Sequence, residues 1–353
     1  MRKTGVHKIL FGLCLAALSA VACSEHPRTV GPLREAAVDI RVSVDGEAEA
    51  TKALVDFANG TNYGIFACIH EDTPSAFAPF KSSVYNARAK KVSGKWLYDY
   101  VGTASPGGLD ATNSSFFTLL QRTDDQPADL YAYAPWMQEV YLPSVGPTRI
   151  PFKTAEQKDL MYAEQNLTNA NGSLDPASMS PLSATFHFKH VMARLVFKFR
   201  VLNVPTNYRI SSVSIARTDD AATSHLYTSG TFNAITGTLD CVEEVNTDGK
   251  HIIAVPKELT VDSTTPVALS VLFVPTEVGD DELSFTFTVN SQKMQPFVLK
   301  KEFVEHGPGS GIYGFQPGYT YTFNFTLDNY VYFDGFSVSE DWESLELPLP
   351  DYI

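Results

Sequence analysis

His187 and His190, three apart in Phe186-His-Phe-Lys-His190, are the most closely spaced histidines in the sequence. Imidazoles at short spacing are a common start of a metal site. This segment alternates in the manner of a strand, however, and an odd separation in a strand puts two side chains on opposite faces. The pair is therefore expected to be partly buried, hydrogen-bonded histidines and not ligands. His26, His70, His225, His251 and His306 are isolated, and no His-Glu-x-x-His run occurs. Gly307-Pro-Gly-Ser-Gly311 lacks the Gly-Lys-Ser/Thr ending that cradles phosphate and reads as a turn. There is neither a Gly-x-Ser-x-Gly elbow nor a Cys/His pair at useful spacing. Asp124-Asp125, Asp219-Asp220 and Asp280-Asp281 stand in turn contexts, where Asp is favoured because its carboxylate bonds to local backbone. A weak calcium site at one of them is the alternative. Trp96, Trp136 and Trp342 with Tyr98, Tyr100, Tyr131 and Tyr133 could offer sugar rings a stacking platform. Alternate positions of the strands that carry them face a core, so most are expected to be packing residues. The expectation is a non-enzymatic chain with no metal and no cofactor.

A covalent chemistry of another kind is written at the N-terminus. Arg2, Lys3 and Lys8 precede an apolar run from Ile9 to Ala20, and the segment ends Ala20-Val21-Ala22-Cys23. A dozen apolar residues are too few to span a bilayer, so residues 1–22 read as a secretory signal. The small residues before Cys23 resemble a bacterial lipobox, with Ala20 where Leu is usual, and make Cys23 the expected lipidation site. A diacylglyceryl group plus an amide-linked chain such as palmitate buries dozens of methylenes at about 0.8 kcal/mol each, a stable membrane anchor. The chain carries a net charge of −13, and the signal takes three cations with it. So acidic a surface argues against nucleic acid or anionic lipid as partners. Cys68 and Cys241 remain once Cys14 and Cys23 are accounted for; they are either bridged or two buried thiols.

The elements that must position these residues are strands. The 353 residues are 44% hydrophobic and 19% charged, with 23 Phe and 16 Tyr, a composition that favours many short strands separated by Gly and Pro turns. Val38, Ile40, Val42 and Val44 alternate with polar residues and define a half-buried first strand. It follows a Pro- and Gly-containing tether, residues 23–37, and precedes an acidic connector, Asp45–Ala50. Strands are expected at Ile65–Ile69, Ser82–Ala87, Lys95–Tyr100, Phe116–Leu120, Asp129–Tyr133 and Glu139–Leu142. Short helices are expected at Ala53–Phe57 and Thr154–Asp159. The polar stretch Asn166–Pro181 suggests a boundary, dividing the chain into domains 38–182 and 183–353. In the second, Met192–Val201, Arg209–Ala216, Gly230–Leu239, His251–Val255, Pro266–Pro275, Glu282–Val289, Phe297–Phe303, Tyr319–Leu327 and Tyr330–Phe336 repeat the pattern. The fold class is all-β, a sandwich or barrel architecture.

Four segments carry a resemblance: Asp159-Leu-Met-Tyr-Ala163, Phe186-His-Phe-Lys-His-Val-Met-Ala-Arg-Leu-Val196, Phe315-Gln-Pro-Gly-Tyr-Thr-Tyr-Thr-Phe-Asn-Phe-Thr-Leu327 and Val338-Ser-Glu-Asp-Trp342. In order and spacing the chain resembles the fimbrillin family, lipoprotein pilins of type V pili. The resemblance implies two tandem β-sandwich, transthyretin-like domains and a structural or accessory pilus subunit that contributes to adhesion. It further implies localisation by lipid anchor at the cell outer membrane, or in a fimbrium at the cell surface. Assembly would follow proteolytic loss of the first strand, whose groove another subunit then fills by strand addition. Four apolar side chains hold that strand by about 6–12 kcal/mol of gross burial. The family cleaves after a basic residue in the connector, which by position is Lys52, before Ala53. Lys replaces the usual Arg, which implies a trypsin-like processing protease. Arg41, the nearby arginine, is mid-strand. The donor is expected from the other end, where Leu345, Leu347 and Leu349 alternate with Pro348 and Pro350, residues suited to an edge strand. Partners are thus other pilin subunits, the membrane through the lipid, the protease, and a glycan or host receptor. The alternative is a surface lipoprotein or tip adhesin that binds glycan or host ligand and never polymerises.

Overall fold

Period-two alternation of apolar residues dominates the sequence, and the computed structural model is built almost wholly of strands. It describes residues 34–44, 61–69, 82–99, 117–121, 128–138, 147–166, 182–202, 207–218, 224–242, 250–262, 264–306, 310–328, 330–340 and 342. All of these belong to one compact unit, Leu33–Ile353. The signal, the tether up to residue 33, Cys23, the connector with Lys52 and Ala53, and the tail with Leu345, Leu347 and Leu349 lie outside the described residues. So do the expected strand Glu139–Leu142 and the expected helix Ala53–Phe57.

The first half contributes β1 (Arg34–Val44), β2 (Asn62–Ile69), β3 (Ser82–Val92), β4 (Lys95–Asp99), β5 (Phe117–Gln121), β6 (Ala128–Ala134), β7 (Ile150–Lys153), β8 (Met161–Asn166) and β9 (Leu182–His190). All but β7 form one eight-stranded sheet in the order β4-β3-β2-β6-β8-β9-β1-β5. One face of seven of these strands supplies a common core that includes Ile40, Tyr63, Ala89, Leu130, Ala163 and Phe186. Register shifts between β2 and β3 at Ala67 mark irregularities, and bulges of this kind bend a sheet so that it can wrap a core. The segment 183–190 stands at the head of the expected second domain. It is β9, bonded to β8 and β1, and the chain leaves the first sheet only at Val191-Met192.

The second half contributes β10 (Ala193–Val201), β11 (Tyr208–Arg217), β12 (Ser229–Phe232), β13 (Leu239–Val242), β14 (Lys250–Val261), β15 (Val267–Phe273), β16 (Thr276–Glu277), β17 (Leu283–Val289), β18 (Gln292–Lys293), β19 (Phe297–Leu299), β20 (Gly314–Phe315), β21 (Thr320–Leu327) and β22 (Val331–Ser339). One sheet runs β15-β10-β21-β22; the other runs β14-β11-β17-β18, with β19 also on β17. Strict alternation turns Leu283, Phe285, Phe287 and Val289 of β17 inward. There Phe287 meets Phe199 edge-on at 5.1 Å and Phe325 at 4.8 Å between centroids. Edge-to-face rings add about 0.5–1.5 kcal/mol beyond their area. Expected strand Gly230–Leu239 is instead the hairpin β12–β13. The Asn233 side chain accepts the Ile235 N–H at 2.9 Å, and Gly237 turns the chain at φ 72°. Expected helix Thr154–Asp159 reduces to a 3-10 turn, Thr154–Glu156.

The two halves share structure. β7 of the first pairs with β12 of the second. A third apolar cluster in the crease takes Phe66, Tyr133 and Phe152 from one side and Phe232, Leu272 and Val274 from the other. The Gln157 amide acts as a strand surrogate: its Nε2 donates to the Leu272 carbonyl at 3.1 Å and its Oε1 accepts the Leu272 N–H at 2.8 Å. Among the described residues no helix is long and apolar enough to cross a membrane.

Candidate functional site

β1 changes partners along its length. Arg34–Val38 pair antiparallel with β5, from Arg34↔Gln121 to Val38↔Phe117. Val38–Val44 pair parallel with β9, from Val38↔Leu182 to Val44↔Phe188. In the sheet order β1 separates β5 from β9, so β5 is held in the sheet through β1. Of the four apolar residues of this strand, Ile40 and Val42 are buried in the first core; the side chains of Val38 and Val44 lie outside the described residues. Arg41 is exposed and its backbone stands in register with Thr185.

The floor under Ile40 and Val42 is aromatic. In register with them on β9 are Ala184 and Phe186, and Phe186 and Phe188 pack edge-on against Tyr63 at 6.1 and 5.4 Å. Taking β1 away would bare this floor together with the backbone N–H and C=O groups of β9 that it pairs. An exposed edge of that kind is a template for another strand. Two buried aliphatic side chains at about 1.5–3 kcal/mol each, plus the ladder, are what hold the seam closed.

β9 carries a second feature at its far end. The His190 ring stacks on Trp342 at 4.1 Å and 17°, and its Nδ1 pairs with Asp159 Oδ1 at 2.9 Å. The Arg194 guanidinium, itself buried, lies 5.9 Å from the Trp342 ring and donates from Nε to Ser270 Oγ at 2.8 Å. Glu340 accepts a hydrogen bond from the Tyr319 hydroxyl at 2.8 Å. The odd spacing sets His190 on the opposite face from His187 but names no partner for it, because Trp342 is far away in the chain. The only signal was that both fall in segments of the family pattern.

The other candidate residues go to packing and turns. Tyr98, Tyr131 and Tyr133 are buried. Trp96 packs on the first core, Trp136 lies under the Arg88 guanidinium at 5.0 Å, and Trp342 stacks on His190 at the end of β9. The Tyr133 hydroxyl donates to Asn86 Oδ1 at 2.8 Å and accepts the Met137 N–H at 3.1 Å. Gly64 is the small residue this ring requires, since a Cβ there would run into it. Asp281 turns the chain at φ 62° and pairs with Lys300 at 2.6 Å; the other Asp pairs lie outside the described residues. His306 Nε2 meets the buried Tyr321 hydroxyl at 2.6 Å, and burial pushes that phenol above its ordinary range. Cys241 is a free thiol. Among the described residues no three His, Cys, Asp or Glu side chains gather where they could hold a metal ion.

A sequence profile described as fimbrillin-like matches residues 50–342, a span that begins after β1. No curated protein matches the chain by sequence. Among solved structures, a proposed cell adhesion protein from Bacteroides ovatus is 15% identical with a TM-score of 0.55, over 88% of this chain and 98% of that one. A proposed cell adhesion protein from Bacteroides uniformis is 16% identical with a TM-score of 0.52, over 87% of this chain and 98% of that one. At such identities the likeness is one of fold.

Proposed function

The chain belongs to the fimbrillin-like family, and we propose that it is a structural or accessory subunit of a cell-surface pilus, assembled by strand exchange after its first strand is cut away. The observation that carries this reading is the placement of β1. Among the described residues it is the sole sheet link between β5 and β9, it buries Ile40 and Val42 in the core, and covalent connection to the body runs through the connector that holds Lys52. A strand of that description is a plug with a single tie.

In this reading the chain is exported as a lipoprotein through Cys23 and held at the outer membrane by its acyl chains. A trypsin-like protease cuts between Lys52 and Ala53, and β1 leaves with the lipid. The bared edge of β9 then takes an extended segment of another subunit by backbone pairing, with alternate side chains seated on Phe186 and Tyr63. Leu345, Leu347 and Leu349 of the tail have the i, i+2, i+4 spacing that such a floor demands. Adhesion is a property of the fibre so formed, through a glycan or host receptor engaged along it.

Mass spectrometry of surface-exposed protein tests the processing step. The expected mature N-terminus is Ala53. Recovery of lipidated Cys23 as the sole N-terminus on assembled fibres would overturn it.

A further inference from the structure

Alternation in β10 and β21 turns Leu195, Phe197, Phe199, Tyr321, Phe323 and Phe325 into the second core and leaves the other face of their sheet pointing away from it. At one end that face carries side chains a solvated sheet does not need. Tyr332 of β22 stands across from Thr326 of β21, which stands across from Arg200 of β10; residues directly opposite one another share a sheet face. Tyr332 is 47% exposed, and its ring lies edge-on to that of Tyr330, 64% exposed, at 6.3 Å. Leu202, two past Arg200, is 58% exposed. Three of the seven large apolar side chains exposed among the described residues thus gather at one end of three adjacent strands. Scattered exposed apolar residues need no explanation, whereas a gathering marks an interaction site.

Beside these groups lies a fixed polar frame. The buried Thr326 hydroxyl accepts from Arg200 Nε at 2.9 Å and donates to Asp334 Oδ2. Arg200 Nη2 pairs with the same carboxylate oxygen at 3.3 Å. Asp334 is the extra residue of a bulge, since Phe325 faces Phe333 and Asn324 faces Gly335. Bulges re-aim side chains, and this one holds Asp334 against Thr326. The next row across the face is Lys198, Asn324 and Gly335. A Cβ at Gly335 would meet nothing within 4 Å, so the surface beside Asp334 is open.

Guanidinium, carboxylate and amide are planar groups that present donors or acceptors side by side, which suits the neighbouring hydroxyls of a sugar ring. A tyrosine ring offers the C–H face of the same sugar a flat apolar surface. Arg200 and Asp334 neutralise each other, so the frame gives an ion no net attraction. A neutral polyol can donate to Asp334 and accept from Arg200 at once.

We propose that Tyr332, Arg200, Asp334 and Asn324 form a binding site for a neutral hexose, carried on a glycan of the surface to which the pilus adheres. A single site of this kind is shallow and open to water, and binds weakly. Repetition along a fibre compensates, because linked sites gain roughly 10²–10⁴-fold in avidity without any new contact. The proposal rests on the pilus reading for that repetition and for the source of the glycan; the recognition chemistry belongs to the single chain.

The test probes one printed array of neutral, sialylated and sulfated glycans with the full chain, tetramerised on streptavidin through a single C-terminal biotin. Binding confined to neutral, hexose-terminated glycans is expected. Tyr332→Ala and Arg200→Ala are each expected to weaken it about tenfold or more, as loss of an aromatic or arginine anchor does. Tyr332→Phe keeps the ring and is expected to keep binding, and Val298→Ala, exposed on β19 of the facing sheet, is expected to change nothing. Circular dichroism of each variant checks the fold. An array blank at every neutral glycan, a preference for acidic ones, or binding that survives Tyr332→Ala overturns the proposal. So does self-association of the uncut chain that Tyr332→Ala abolishes, since the face would then be a contact between copies. A chain that binds the array yet forms no fibre after cleavage keeps the site and sinks the pilus reading; fibres with a blank array do the reverse.

Discussion

At the scale of the residue, Cys241 makes a titration prediction. Burial, with Asp240 alongside, pushes its thiol up to about 11 from 9.0. The thiolate is the nucleophile, so alkylation of folded protein carrying Cys68→Ser should rise with a midpoint near pH 11, and near pH 9 once unfolded. The sign for stability follows: the folded state holds the proton more tightly, so this contribution is complete below about pH 9 and lost as pH rises toward 11. An alkylation midpoint near 9 in the folded protein would contradict the burial of this thiol. What sequence could say about single residues went as far as faces. The odd spacing of His187 and His190 places them on opposite sides, and alternation marks most of the tyrosines as core. It says nothing of Asp159 and Trp342 as partners of His190, because neither lies within the segment whose period is being read.

At the scale of the element, β1 is legible as a strand and its neighbours are not. Alternation specifies which residues face the core; pairing partners follow from how the whole sheet closes, and β9 lies far down the chain. The hairpin β12–β13 escaped for a local reason: Thr, Phe and Ile continue across it, while the turn is made by one Asn side chain and one left-handed Gly. The β1–β9 seam can be measured. Ile40→Ala removes a buried side chain worth about 2–5 kcal/mol, and amide exchange along Leu182–Phe188 of the uncut protein is expected to speed up accordingly, since β1 is what covers that edge. Unchanged exchange there would mean that β9 is protected by something other than β1. β22, in contrast, has its outer edge blunted. Its pairing with β21 shifts register at Asn324/Phe325, and Asp334 in the shift bonds Arg200 and Thr326. Bulges and charges at an edge disfavour adventitious pairing.

At the scale of the whole molecule, the expected two-domain division meets a more continuous object. The all-β class was legible from composition and alternation. The crease was not: β7–β12 pairing, the Gln157–Leu272 bridge and the shared cluster around Phe66 and Leu272 join segments far apart in the chain, and local alternation does not say which distant strands meet. The central claim is that cutting the single tie of β1 is what permits assembly. Its most direct measurement places a site-specific protease sequence at residues 47–52 of the purified full chain and follows heat-stable oligomers on gels before and after cleavage. Monomer before the cut, a ladder after it, and suppression of the ladder by excess peptide 33–45 are the predicted results. A ladder from uncut chain, or cleaved protein that releases β1 and remains monomeric, would contradict the account.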